Sequence, residues 1–94
     1  MRYTMIVLTG HARDKLLNEL FKLGINEDSV SITVNSPDEL LYDVATGRFV
    51  AVKYDLNIAV IYEKTRDAQL VVTVIYSAHL KELVERRRRA GRWI

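Results

Sequence analysis

Four side chains in this 94-residue sequence could together handle a phosphate ester. His11 falls at the predicted opening of a helix and could act as a base. Arg48 and Lys53 lie in or beside β-rich segments and could neutralise phosphate charge, while Tyr76 ends the last such segment and could pass a proton. Each has a plainer reading. A first-turn histidine commonly bonds backbone or water, and strand tyrosines such as Tyr62 and Tyr76 are mostly packing residues with a polar tip. Spacing alone does not show that these side chains converge. His79, at the opening of a second predicted helix, has the same two readings as His11. Two lone histidines without carboxylate spacing make a poor metal site, and with no cysteine in the chain neither a metal nor another cofactor is expected. A glycine-rich phosphate loop, a Gly-x-Ser-x-Gly elbow and a paired-carboxylate motif are all missing.

The other chemistry is electrostatic. The formal net charge of +2 hides an asymmetry. After residue 80, Lys81, Arg86, Arg87, Arg88, Arg89 and Arg92 stand against Glu82 and Glu85, a local excess of four positive charges that leaves the remainder negative. Such a segment is a footprint for phosphate-bearing partners, or else a solvated helical face. On a helical wheel Arg86 and Arg89 turn away from the packing stripe Leu80, Leu83 and Val84, whereas Arg87 lies over it. Arg86, Arg89 and Arg92 are therefore the nucleic-acid-binding candidates. Glu82 with Arg86 and Glu85 with Arg89 are also spaced to pair along the helix. Trp93, just after Gly91, is expected to dock on the domain; a partner anchor or a stacking platform for a base is the alternative.

The elements that must position these groups follow from periodicity. YTMIVL (3–8) reads as a strand, and because its apolar run does not alternate it reads as central and covered on both sides. From His11 to Leu23, Leu16, Leu17, Leu20 and Phe21 form the apolar face of a helix, with Thr9 as N-cap and Gly24 as its left-handed stop. Arg13 shares the line of Leu16, Leu17 and Leu20, so its stem should cover the core while its guanidinium reaches a rim. Asn26 to Asn35 conflicts with itself: Val30, Ile32 and Val34 alternate as a strand would, yet Asn26 is a good N-cap, Glu27 and Asp28 suit the positive end of a helix dipole, and Asn35-Ser36-Pro37 is a stop. We read a helix. After Pro37, LLYDVA, RFVAVKY, LNIAVIYEK and QLVVTVIY are four strands joined by short turns, hence an antiparallel meander. Leu56, Ile58, Val60 and Tyr62 share one face, as do Leu70, Val72, Val74 and Tyr76. Ser77 is expected to cap a last helix that ends at Gly91. The predicted core is Ile6, Leu16, Leu20, Phe21, Val50, Ile58, Val60, Val72, Val74 and Leu83.

Length bounds the whole. Ninety-four residues with 49% hydrophobic and 28% charged residues are read as a single globular domain (1–94). With no run long enough for a membrane span or a signal-peptide core, a cytoplasmic protein without membrane contact is expected.

Several short motifs stand together in this order: His11-Ala12-Arg13 opening a helix, Gly24-Ile25 before an acidic cap, Asn35-Ser36-Pro37-Asp38, Gly47 before a strand, Val60 to Tyr62, and Val71-Val72-Thr73-Val74 before Tyr76. Over about residues 9 to 76, and again at Gly91-Arg92-Trp93, the chain resembles a family of small single domains of unknown function, itself similar to the RelE and BrnT group of toxin-like folds. The resemblance implies an α+β fold in which a twisted antiparallel sheet, the first strand plus the four-stranded meander, packs against two N-terminal helices and a C-terminal helix. It also implies descent from metal-independent endoribonucleases. His11 matches the family's leading histidine, and Tyr76 ends the final strand, where toxin relatives keep late catalytic groups; Arg48 and Lys53 are candidates by chemistry only. The expectation is a toxin-like endoribonuclease or RNA-associated protein, with RNA, an antitoxin-like protein or a second copy as partner. The alternative is a non-catalytic protein- or nucleic-acid-binding module with the same fold.

Overall fold

The computed structural model describes residues 5–94, so Tyr3 and Thr4 of the predicted first strand lie outside them. In chain order come β1 (Met5–Leu8), α1 (Gly10–Asn18), a 3-10 turn (Leu20–Leu23), α2 (Glu27–Asn35), β2 (Glu39–Asp43), β3 (Arg48–Lys53), a second 3-10 turn (Tyr54–Leu56), β4 (Ile58–Lys64), β5 (Ala68–Tyr76) and α3 (Leu80–Arg89). This is the expected α+β fold. The five strands lie in the order β1-β5-β4-β3-β2, and β2 to β5 form the antiparallel meander.

The sheet is mixed rather than wholly antiparallel, because β1 pairs with β5 in parallel. It is also an edge strand. A meander leaves only its two outer strands free to accept another, and β1 takes the β5 side; Ile6 and Leu8 turn toward the core while Met5 and Val7 stay exposed.

Local signals explain the helices. The Thr9 hydroxyl accepts the Ala12 N–H (3.1 Å) and donates to the Val72 carbonyl (3.2 Å), so one side chain both starts α1 and ties it to β5. In α2 the reciprocal bonds of Asn26 and Ser29, each backbone N–H donating to the other's side chain at 3.2 and 3.0 Å, satisfy two donors that an extended segment would not present. Val30, Thr33 and Val34 then fall on the buried face, and the Thr33 hydroxyl donates to the Ser29 carbonyl one turn back (2.8 Å). The capping chemistry outweighs the period-two pattern.

Helices cover both faces of the sheet. On one, Ala12, Leu16, Leu20, Ile25, Val30 and Val34 pack on Ala51, Ile58, Val60, Tyr62, Val71 and Val74. On the other, Leu80, Val84 and Trp93 pack on Leu41, Val50, Val52 and Ala59. Two-sided cover is why β3 and β4 carry unbroken apolar triplets, Val50-Ala51-Val52 and Ile58-Ala59-Val60.

Two core assignments are corrected. Phe21 is 68% exposed, and Leu17 beside it is exposed too. The predicted helix to Leu23 ends at Asn18, and the chain tightens into the 3-10 turn Leu20–Leu23; Ala12, Leu16 and Leu20 keep one line toward the sheet, whereas Leu17 is one step around α1 and Phe21 one step around the turn, both off that line. Val72 is only half-buried because β5 bulges there: Ile61 pairs with Thr73 but Tyr62 with Val71, so Val72 is the extra residue. The bulge reverses the alternation and sends Val71, not Val72, to the side of Val74.

Candidate nucleic-acid interface

The basic segment is held by a folded-back end. Gly91, in the left-handed region at φ 70°, stops α3 and turns the chain so that the N–H groups of Arg92 and Trp93 both donate to the Arg87 carbonyl (2.9 and 3.2 Å). Residues 92–94 then run beside β2. Val44 N–H donates to the Arg92 carbonyl (2.9 Å), and Tyr42 and Ile94 exchange backbone bonds at 3.0 Å each way. The outer edge of β2 is thereby covered at its C-terminal end, and the Trp93 indole enters the core at 2% exposure, the docked arrangement the sequence predicts. The start of α3 differs from expectation. His79 occupies the cap position, and Ser77 accepts the His79 N–H (3.1 Å) instead of capping the helix.

Most of the six cations in this segment are committed to the fold. Arg87 stacks on Trp93, its guanidinium carbon 5.4 Å from the ring centroid, and Lys81 lies 5.5 Å over the Tyr54 ring. Arg88 bonds Glu39, which also accepts the Tyr54 hydroxyl. Arg92 Nε lies 3.2 Å from Asp43 Oδ1. Arg86 and Arg89 remain: both are exposed, and neither meets an acidic partner among the described residues. The expected Glu82–Arg86 and Glu85–Arg89 helix pairs are not closed. Of the three nucleic-acid candidates, Arg86 and Arg89 are thus free to meet a phosphate, whereas Arg92 neutralises a buried aspartate.

Two shallow hollows flank α3. One, about 300 Å³, is lined by Leu83, Arg86, Arg87 and Ala90, an apolar floor with guanidinium groups at its border. The other, about 250 Å³, is lined by Tyr54, Asn57, His79, Lys81 and Glu82 among others, and is more polar. Beneath the second lies the Tyr54–Glu39–Arg88 chain. The Tyr54 hydroxyl, with Arg88, holds the Glu39 carboxyl below its ordinary range against the opposing effect of burial. Burial and the Glu39 charge push Tyr54 up to about 12. Glu39 is therefore an acceptor and Tyr54 a donor at neutral pH, a pairing that fixes Arg88 rather than one poised to exchange protons. Asp43 behaves similarly: burial alone would raise it, but the Arg92 guanidinium and the Ala45 N–H (3.0 Å) hold it low.

The four catalytic candidates are dispersed. Lys53 pairs with Ile58, which pairs with Tyr76, so these two sit in one row at one end of the sheet, on the face under α1 and α2. Lys53 Nζ is bound to the Ser36 carbonyl that ends α2 (2.9 Å), with Asp38 3.9 Å away. Arg48 lies at the opposite end of β3 and on the opposite face, its Nε 2.9 Å from Glu63. His11 is exposed near the start of α1, which is anchored at Val71 and Val72 rather than at Tyr76, and it borders a surface hollow of about 320 Å³ with Asp14, Lys15, Asn18 and Glu19. The described residues hold no cleft that gathers the four.

Sequence reasoning passed over Glu39, Asp43 and Tyr54. Alternation in LLYDV sets Asp43 with Leu41, opposite the more apolar Leu40, Tyr42 and Val44, so period two points Asp43 outward; the structure turns it inward, where a buried carboxylate demands a cation. Its partner lies 49 residues along the chain, beyond the reach of local spacing. Compared with family models, curated proteins and solved structures, the chain matches none.

Proposed function

We propose that this chain is a non-catalytic RNA-binding module that meets the phosphate backbone with α3. The observation that carries the reading is the division of the basic segment. Lys81, Arg87, Arg88 and Arg92 are held by Tyr54, Trp93, Glu39 and Asp43, so Arg86 and Arg89 project from a braced helix, and binding has to order their side chains but not the backbone that carries them. The hollow at Leu83 and Ala90 offers an apolar floor to a base face next to Arg86, an arrangement that suits an unpaired strand. RNA as the polyanion follows from the RelE and BrnT resemblance. The scatter of His11, Arg48, Lys53 and Tyr76 supports binding over cleavage.

The test is to incubate the pure chain with end-labelled single-stranded RNA in chelator, following binding by anisotropy and cleavage on a gel. The reading predicts binding without cleavage, weakened in Arg86→Ala/Arg89→Ala and unchanged in His11→Ala. Cleavage by wild type that disappears in His11→Ala or Tyr76→Phe would overturn it in favour of the endoribonuclease.

A further inference from the structure

α1 and its following turn leave a large apolar surface open on the side away from α3. Leu17 (66% exposed), Phe21 (68%) and Leu23 (52%) stand clear of the domain. Leu17 and Phe21 line a hollow of about 340 Å³ together with the buried Leu16 and Ile25. Two large exposed side chains in one hollow, one of them aromatic, with Leu23 exposed two residues further along the same turn, are more than the scattered single residues that a surface carries without cost. The charges around the hollow are ordered as well. Arg13 borders it from α1, while Glu27 and Asp28 border it from the first turn of α2. Although they share one hollow, Arg13 forms no ion pair with either acid among the described residues.

From this arrangement the geometry points to a second copy of the same chain as the occupant, joined across a two-fold axis through the hollow. A patch with a positive border, an apolar middle and a negative border complements itself under a two-fold rotation: Arg13 of each copy meets Glu27 and Asp28 of the other, and the Leu17 and Phe21 surfaces meet between them. The apolar middle supplies the driving force, and the two charge pairs set the register and reject other orientations. The arrangement leaves α3 open on each copy, so a dimer would carry two RNA-facing helices, yet the inference does not depend on RNA binding.

Sedimentation velocity of the full chain across the micromolar range tests it, without nucleic acid. The wild type should pass from monomer to dimer as concentration rises. Phe21→Asp should raise the dissociation constant about thirtyfold or more, the scale of a central aromatic anchor. Arg13→Glu and the pair Glu27→Lys/Asp28→Lys should each weaken the dimer about tenfold, and mixing those two variants should restore it, because both cross-pairs then regain opposite signs. All these positions are exposed, so far-ultraviolet dichroism should match the wild type and separate lost association from lost fold. A chain that stays monomeric throughout would leave the hollow to a different protein and overturn the inference. A dimer indifferent to Phe21→Asp, or one that mixing does not restore, overturns it equally.

Discussion

Arg87 and Trp93 meet face to cation at 5.4 Å, and the same Arg87 accepts two backbone bonds from residues 92 and 93 through its carbonyl. One residue in the basic run therefore closes the C-terminal end over the second core, and it explains why a cluster of arginines can sit beside a buried indole. The stem of Arg87 covers apolar surface while its charge rests on the ring.

Removing the indole should be the most costly single change on that face. Trp93→Ala deletes a side chain that is 2% exposed and unseats the segment that pairs with β2. A loss of about 3–5 kcal/mol in urea unfolding is expected, the range for large aromatic truncations in a core. A loss below about 1 kcal/mol would mean that α3 docks without it.

Thr9→Ala should cost about 1–2 kcal/mol, since it removes both the cap of α1 and the bond to the bulge carbonyl of Val72. Thr9→Ser keeps the hydroxyl and should recover most of that loss. If Ser and Ala variants unfold at the same urea concentration, the hydroxyl is not what ties α1 to β5.

The Tyr54–Glu39 bond makes two limbs of pH dependence with opposite signs. Glu39 has a folded-state value depressed below its ordinary 4.5, so its contribution is complete above that pH and is lost as pH falls. Tyr54 is raised from 10.0 to about 12, so its contribution is complete below pH 10 and is lost as pH rises toward 12. Tyr54→Phe should be less stable than wild type by about 1 kcal/mol at neutral pH, and the two stability curves should converge across the alkaline window. Parallel curves up to pH 12 would contradict the assignment.

What was legible in the sequence was what short-range chemistry decides. Thr9 and Asn26 announce their helices, Pro37 marks the change to strands, and the meander follows from its short turns. The errors came from features that depend on distant partners. Nothing local in QLVVTVIY marks Val72 as the extra residue, because its carbonyl is bonded by Thr9, from the other end of the chain. The apolar run of β1 read as a central strand, yet sheet position depends on which edge the meander leaves free. Leu16, Leu17, Leu20 and Phe21 fit a wide helical stripe, yet the sheet covers only the narrower line of Ala12, Leu16 and Leu20, and Phe21 falls in the 3-10 turn beyond α1. For the site, the wheel separated Arg87 from Arg86 and Arg89, but the long-range partners Glu39 and Asp43 that hold Arg88 and Arg92 had no local signature.

Arg88→Ala and Arg86→Ala should differ in kind although the two residues are near neighbours. Arg88 is bound to Glu39, so its loss should lower stability while leaving RNA affinity nearly intact; Arg86 meets no acidic partner among the described residues, so its loss should do the reverse. Urea unfolding and RNA anisotropy on both variants check this. Equal effects of the two on affinity would contradict the division of the basic segment.

The most direct test of that division is the salt dependence of RNA binding. Each phosphate neutralised contributes about 0.7 to the slope of log affinity against log salt on a single strand and about 0.9 on a duplex. If Arg86 and Arg89 each meet one phosphate, Arg86→Ala/Arg89→Ala should flatten the slope by about 1.4 on single-stranded RNA, while Arg88→Ala/Arg92→Ala should leave it close to wild type. Identical slopes for wild type and Arg86→Ala/Arg89→Ala, with the fold intact, would contradict the account and assign the exposed arginines to solvation alone.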